Sequence, residues 1–254
     1  MSEAMKRCPF CDEEIRESAI FCKHCKQWMP GYSYEGAVRE MVLDRQTASP
    51  AESIELSKAS REQQLAAVMA WTNGDKTQSL RGIDLSIQNL SGIDLSGADL
   101  SETDFRDADL SGINLSGANL SKANLYSANL RGANLEKANL TEAYAREVIL
   151  EKANLTGAIC LRANFRGAFM DRANLQRVDM EQANLKAADL RGTNLRECYL
   201  KESDLGSSKM EDAILTGAML IRTDFTNSDI TSFQYRRARM IEEIILPNGQ
   251  VHSE

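Results

Sequence analysis

The sequence of 254 residues lacks the features that mark most enzymes, membrane proteins and secreted proteins. It has only two histidines, His24 and His252, and no stretch that combines Ser, His and Asp or forms a phosphate-cradling glycine loop. No apolar run approaches the roughly 18 residues that a membrane-spanning helix needs. The N-terminus has no apolar segment of the secretory type. We therefore expect a cytoplasmic protein that is not an enzyme and has no membrane span.

The charge and the side-chain sizes further restrict the class of protein that the sequence can encode. The net charge is −7, and no block is basic enough to indicate a general nucleic-acid binder. Aromatic residues make up only 6% of the chain, while Leu, Ala and Asn recur heavily. This composition indicates a repetitive core of medium-sized side chains.

Four of the six cysteines form two pairs near the N-terminus, Cys8-x2-Cys11 and Cys22-x2-Cys25. Two such pairs supply the four thiolates of a closed, tetrahedral structural Zn²⁺ site. A closed coordination shell leaves no open position for catalysis. The segment "CPFCDEEIRESAIFCKHC" resembles the short zinc ribbons at the N-termini of many bacterial proteins. We expect one structural zinc ion, with reduced free cysteines as the alternative. Because the ribbon is neutral, a protein partner is favoured over nucleic acid.

Residues 31–75 have a helical pattern and form the predicted connector. Ser49, Pro50 and Glu52 are typical of a helix start, and "SREQ" at 60–63 is a second possible start. Leu65, Val68, Met69 and Thr72 then follow at helical spacing, and 73–74 is a helix stop. We expect this helix to cover the first turn of whatever follows.

From Leu80 to Tyr235, every fifth residue is apolar, and 22 of these 32 positions are Leu. The residue two positions earlier is Ala in 17 of 32 cases, and the residue between is Asn or Asp in 22. A period of five fits neither an α-helix nor a simple strand. The triplet small–polar–large is strand-like, with its outer two side chains on one face, so the remaining two residues must turn a corner.

This pattern resembles the pentapeptide-repeat family, whose motif A(D/N)LXX is matched from residue 80 to residue 235. The resemblance implies a mainly β fold, a right-handed quadrilateral β-helix with four pentapeptides per coil and about eight coils. Such a stack would be about 38 Å long at the strand spacing of about 4.8 Å. The predicted domains are a zinc ribbon (1–30), a helical connector and cap (31–75), the β-helix (76–236) and a C-terminal cap or tail (237–254).

A twenty-residue coil places residues 20 apart in one column. Ala145 then lies against Phe165, and we expect the small residue to make room for the ring. Cys160 and Cys198 point inward about 10 Å apart, too far for a disulfide, and are predicted to be buried free thiols.

The two ends of the coil stack need covers, because exposed strand edges invite association. The tail offers apolar residues for this purpose: Met240, Ile241, Ile244, Ile245 and Leu246. We favour a cap, hence a monomer. The alternative is an end-to-end homodimer, which occurs in the family that the repeats resemble.

Several outward positions that normally hold Asn or Asp are apolar or aromatic. They and two neighbouring corner residues form the predicted partner-contact surface: Tyr144, Ile149, Ile159, Leu161, Phe169, Tyr199, Met219 and Ile221. Contiguous exposed apolar groups indicate partner contact, although β-formers can also simply be tolerated in strand-like positions. We expect a protein-interaction scaffold with a partner that the sequence does not identify.

The alternative is a DNA-mimicking inhibitor or modulator of a type II topoisomerase (gyrase), as in the quinolone-resistance branch of the family. Such mimicry needs a long acidic face. Residues 84–109 hold seven acidic side chains against Arg106 alone, but residues 110–200 hold 12 basic and 9 acidic side chains. The acidic region is therefore short, which favours the scaffold.

Overall fold

The computed structural model describes the backbone of residues 5–7 and 14–16, and residues 56, 59–76 and 79–253 in full. The chain divides into two compact units, Met1–Ile54 and Glu55–Glu254. In the first, strands β1 (Met5–Arg7) and β2 (Glu14–Arg16) pair antiparallel. The predicted helix start at 49–52 and most of the predicted ribbon lie outside the described residues. No helix in the described part of the chain is both long and apolar enough to cross a bilayer.

A stack of twenty-residue coils makes up most of the second unit. Parallel bridges join residues that are 20 apart in sequence, and each coil contributes four of them. The first four bridges are Asp84↔Asp104, Asn89↔Asp109, Asp94↔Asn114 and Asp99↔Asn119. The β-helix with four pentapeptides per coil is therefore confirmed. Coil 1 comprises residues 81–100, and each later coil comprises the next 20 residues.

The four faces and four corners of the coil can be named by their residues in coil 1. Faces 1, 2, 3 and 4 have their centres at Asp84, Asn89, Asp94 and Asp99, and each centre recurs every 20 residues. Corner A (86–87) joins faces 1 and 2, corner B (91–92) joins faces 2 and 3, and corner C (96–97) joins faces 3 and 4. Corner D (81–82, recurring at 101–102) joins face 4 to face 1.

The pentapeptide 116–120 shows why this repeat is stable as a coil, because each of its five N–H groups has an acceptor. Gly117 and Leu120 donate to carbonyls of the next coil at 2.8 and 2.7 Å, and Asn119 donates to the preceding coil at 2.9 Å. Ala118 closes the corner turn by donating to the Leu115 carbonyl. The Ser116 N–H has no backbone acceptor and donates instead to the Asn114 side-chain oxygen at 3.2 Å.

The corner turn requires a left-handed backbone at its second residue. Its φ is 65° at Ile87 and 68° at Gly97. Glycine adopts this conformation without steric strain, which explains the frequent "SG" pairs at the corners.

The core is a column of apolar side chains inside the coils. All 32 fifth positions from Leu80 to Tyr235 are buried, as predicted. Ala145 and Phe165 are fully buried in adjacent coils, and the Ala145 N–H donates to the Asn164 carbonyl at 2.8 Å. Their adjacency is therefore confirmed.

Helix α1 (Arg61–Thr72) covers the first coil. It begins at the predicted site: Ser60 and Gln63 form a reciprocal capping box, and Asn73 is the C-cap. Its buried residues are Gln64, Ala66, Ala67, Val68 and Met69, whereas Leu65 is only half-buried and Thr72 is exposed. The predicted apolar face is thus partly wrong, because a polar side chain, Gln64, lies at the junction with the coil.

The C-terminal segment continues the stack. Helix α2 (Ser232–Tyr235) is followed by β4 (Met240–Glu242), which pairs parallel with β3 (Met219–Ile221). Strand β5 (Ile244–Ile245) pairs antiparallel with β6 (Val251–His252), and Ile245 bridges Asp224. Ile241 and Ile244 are buried, Ile245 and Leu246 are half-buried, and Met240 is exposed. Four of the five predicted capping residues thus lie wholly or partly beneath the surface.

Candidate protein-interaction surface

Asparagine and aspartate side chains cover most of the face centres and are hydrogen-bonded within the coil stack. Each accepts from the N–H two residues later, as Asp94 does from Ser96 at 2.8 Å. On faces 2, 3 and 4, Asn amides also donate to the face-centre oxygen of the preceding coil. On face 3 this ladder runs unbroken from Asp94 to Asn194 with distances of 2.9 to 3.4 Å. Such faces hold few polar groups free to bind a partner.

The run of Asn and Asp face centres is interrupted on three faces in coil 4 (141–160). Tyr144 occupies the centre of face 1, Ile149 that of face 2 and Ile159 that of face 4. An isoleucine side chain cannot accept the N–H bond that Asn accepts, and a typical bond of this kind contributes about 0.5–1.5 kcal/mol net. These substitutions therefore replace a stabilising contact with an apolar surface.

The eight predicted contact residues fall into two exposure classes. Four are exposed: Tyr144 (39%), Ile159 (42%), Phe169 (46%) and Tyr199 (47%). The other four, Ile149, Leu161, Met219 and Ile221, are half-buried. The predicted surface is thus less continuous than the sequence pattern indicates, and its exposed part is mainly aromatic.

Five of these residues lie on two opposite faces, Tyr144 lies on face 1, and Leu161 and Ile221 lie at corner D. On face 2, Ile149 bridges Phe169. On face 4, Ile159 and Tyr199 are separated by Asp179, and Tyr199 bridges Met219. Sequence reasoning did not include Met240, which is 43% exposed and extends the face 4 column because it pairs with Met219 through β4. The 21-residue offset hides it from a strict twenty-residue count.

Tyr144 belongs to a cluster at the edge of face 1. Its ring stacks on Tyr126 with centroids 6.2 Å apart. Its hydroxyl accepts from Arg146 Nη1 at 3.4 Å, and the Tyr126 hydroxyl donates to Glu147 at 3.3 Å. Tyr126 and Arg146 were not predicted, although counting every 20 residues along corner A would have found them.

Ion pairs between coils line the other corners. Arg162 contacts Glu142 at corner D, Arg131 contacts Glu151 at corner B, and Arg177 contacts Glu197 at corner C, each at 2.7 Å. At corner D, Glu202 accepts from Gln182 and Arg222, and these bonds lower the pKa of its carboxyl. These corners are neutralised within the rod.

The two isolated cysteines are buried free thiols, as predicted. Burial raises the pKa of Cys160 far above its usual range and that of Cys198 to about 12. Because the thiolate is the reactive form, neither side chain is suited to nucleophilic chemistry.

The four predicted zinc ligands, Cys8, Cys11, Cys22 and Cys25, lie outside the described residues. Within the residues that are described, no cluster of His, Cys, Asp and Glu could hold a metal ion.

Comparison with known proteins identifies the family to which the repeats are similar. Residues 79–117, 118–157, 158–197 and 193–231 match the family model of pentapeptide repeats, which covers more than half of the chain. No curated protein matches significantly.

Solved structures of three proteins are similar to the chain. HetL, a pentapeptide repeat protein involved in heterocyst differentiation regulation from Nostoc sp. strain PCC 7120, is 26% identical over 74% of this chain and 98% of its own, with a TM-score of 0.26. A pentapeptide repeat protein of the Arabidopsis thaliana thylakoid lumen is 22% identical over 48% and 85%, with a TM-score of 0.29. Full-length QnrB1, a plasmid-mediated fluoroquinolone resistance protein, is 17% identical over 63% and 92%, with a TM-score of 0.29. With such low TM-scores, the family assignment depends on the repeat match.

Proposed function

Because the chain belongs to the pentapeptide repeat family, we propose that it is a non-enzymatic, cytoplasmic protein-interaction scaffold whose coil faces bind a protein partner. The observation that carries this proposal is the interruption of the Asn/Asp ladder by exposed aromatic and aliphatic residues. At Phe169 and Tyr199, nearly half of a large apolar side chain lies in contact with solvent. Aromatic residues of this kind are enriched where protein partners bind.

Apolar residues at these face centres also stabilise the coil less than Asn or Asp would. This supports a role for them in binding rather than in folding. Asn at position 149 could bond the amide ladder through Asn129, its bridge partner in the preceding coil. Retaining Ile149 and Phe169 forgoes these bonds, which fits selection for binding better than tolerance of β-forming residues.

We predict that Ile149→Asn plus Phe169→Asn leaves the fold intact and weakens partner binding. The melting temperature should stay equal or rise, since the variant regains hydrogen bonds worth about 0.5–1.5 kcal/mol each. The measurement is an affinity pull-down with mass spectrometry, comparing the wild type with the double variant. A partner recovered by the wild type should be depleted with the variant.

The matched control is Ile214→Asn, which restores the ladder on face 3, away from both predicted contact faces. It should recover the partner as well as the wild type does. Equal recovery by all three proteins would remove the support for this surface.

DNA mimicry of the gyrase-inhibiting kind remains the alternative, and the charges argue against it. Within the short acidic region, Asp84 contacts Arg61 at 3.0 Å, Glu102 contacts Arg81 at 2.7 Å and Asp104 contacts Arg106 at 2.5 Å. Neutralised carboxylates imitate phosphates poorly. Dose-dependent inhibition of gyrase supercoiling by the purified chain would replace the scaffold proposal with this one.

The N-terminal segment is proposed to be a second binding module, held together by one structural Zn²⁺ on Cys8, Cys11, Cys22 and Cys25. The support is the spacing of the two Cys-x2-Cys pairs, and the first pair lies in sequence between the paired strands β1 and β2. We also propose that the chain is a monomer, because Ile241 and Ile244 are buried against the last coil rather than left for a second copy. Sedimentation over a range of concentrations measures this.

A further inference from the structure

Corner A carries a column of positive charge through the middle of the coil stack. Tyr126, Arg146, Arg166 and Lys186 occupy its first position in four successive coils. Their carbonyls join the coils: those of Arg146, Arg166 and Lys186 accept from the turn of the preceding coil at 3.0, 3.1 and 2.9 Å. The backbone of these three positions therefore lies in line along the rod, with a spacing of about 4.8 Å.

These cations lack the inter-coil partners found at the other corners. Arg146 lies 3.7 Å from Glu147 of its own turn. Arg166 and Lys186 are followed by Gly167 and Ala187, where the other corners often place an acid, and form no ion pair with the residues that the structure describes. The nearby carboxylate on face 2, Asp189, is bound by Arg191 at 2.6 Å, which lowers its pKa. Corner A thus keeps net positive charge.

Apolar groups flank this column on both sides. Tyr144 lies at the centre of face 1, and Ile149 and Phe169 lie at the centre of face 2. Together with the cations they form what we term the corner patch: Tyr144, Arg146, Ile149, Arg166, Phe169 and Lys186. A partner that fits the patch needs carboxylates in a line and apolar side chains beside them.

We propose that the corner patch binds an acidic amphipathic helix of a protein partner, lying along the rod axis; this rests on the proposed scaffold function. In such a helix, carboxylates one turn apart are about 5.4 Å apart, close to the cation spacing of about 4.8 Å. In an extended strand, side chains on one face repeat at about 6.6 Å, which differs more from the spacing of the cations. Between the first and the third cation this difference accumulates to twice its value.

The chemistry of the patch favours this helix over a nucleic acid. Three cations along one edge form a short binding site. Coils 1 and 2 would repel a longer phosphate chain, because four of the seven acids between residues 84 and 109 form no ion pair with the residues that the structure describes. A short acidic helix would contact only coils 4 to 6, where the three cations lie.

The test measures binding of a synthetic peptide to the full-length protein by fluorescence anisotropy. The probe is a stapled helix of about 12 residues, about 18 Å long, with Glu along one stripe and Leu along the adjacent stripe. Wild-type protein should bind it, and a peptide with Gln in place of Glu should bind at least about tenfold more weakly. Arg166→Glu plus Lys186→Glu should also weaken binding at least about tenfold, because two attractions become repulsions.

The matched control is Arg172→Glu plus Arg196→Glu, which changes the net charge equally at corners B and C and should leave binding unchanged. An equal loss with this control, or no binding by the wild type, would overturn the proposal. So would tighter, Arg166- and Lys186-dependent binding of a single-stranded thymidine oligonucleotide of about 20 residues.

Failure of this proposal can be told apart from failure of the scaffold function. If Ile149→Asn plus Phe169→Asn abolishes partner recovery while the charge reversal has no effect, the apolar surface stands and the acidic helix is wrong. If neither pair changes partner recovery, both are wrong.

Discussion

At the scale of single residues, each position of the pentapeptide has one structural role. Residues that depart from this role change either the packing of the core or the chemistry of the surface. The inward position holds a large apolar side chain in nearly every repeat, yet Ala145 is small because Phe165 fills the space in the next coil. The face-centre position holds an acceptor for the N–H two residues later. Where that acceptor is missing, as at Ile149, the backbone path is unchanged because the inter-coil bonds persist.

Ala145→Leu is expected to overpack this column and destabilise the protein by about 1–3 kcal/mol. Differential scanning calorimetry should show a lower melting temperature. Adding Phe165→Leu should recover much of the loss, since the pair then has a volume like that of neighbouring coils. A higher melting temperature for Ala145→Leu alone would contradict this account.

At the scale of elements, both ends of the coil stack are closed by a glutamine side chain that replaces a missing strand. In α1, the Asp84 N–H donates to Gln64 Oε1 at 3.0 Å, and Gln64 Nε2 donates to the carbonyls of Leu56 and Ala59. At the other end, Gln234 Nε2 donates to the carbonyls of Met210 and Ala213 at 2.6 and 3.2 Å. The caps work because an amide offers both a donor and an acceptor.

Gln64→Met keeps the shape of the side chain and removes these bonds. We expect a loss of about 1–3 kcal/mol, because the N–H and two carbonyls at the junction lose their partner. Hydrogen exchange should accelerate at Asp84 while the amides of coil 4 remain protected. Gln182→Met is the control: its side chain bonds Glu202 on the exposed surface, and it should change stability by less than about 0.5 kcal/mol. Equal effects of the two changes would reject the capping role.

At the scale of the whole molecule, the chain comprises two compact units, and we propose that they differ in their source of stability. The Glu55–Glu254 unit has a continuous buried column and inter-coil hydrogen bonds along its length. The Met1–Ile54 unit is too short to bury a comparable core, so a metal ion would supply much of its folding free energy.

The purified chain is therefore predicted to contain one zinc ion. A strong chelator should remove it and unfold the first unit, leaving the melting temperature of the β-helix unchanged. Elemental analysis and calorimetry measure the two effects. Cys8→Ser should lose the zinc, whereas Cys160→Ala, which alters a buried core thiol, should retain it. A chain that purifies without zinc would refute the assignment.

The sequence by itself determined the coil and its inward residues, which depend on a short repeating pattern, and it offered the start of α1 through a local capping motif. A period of five selects the same side chains for the core wherever the coil lies. Ala145 and Phe165 could be paired by counting because the family resemblance implies four pentapeptides per coil. The helix start depends only on Ser60 and Gln63, three residues apart.

Only the tertiary structure decided which outward residues are exposed and which charges are paired. Ile149 and Phe169 occupy equivalent positions in adjacent coils, yet Ile149 is half-buried and Phe169 is exposed. Likewise, whether Arg162 or Arg166 is neutralised depends on the acid that the adjacent coil places beside it. Such contacts arise between side chains 20 residues apart, and their geometry is set by the stacking of the coils.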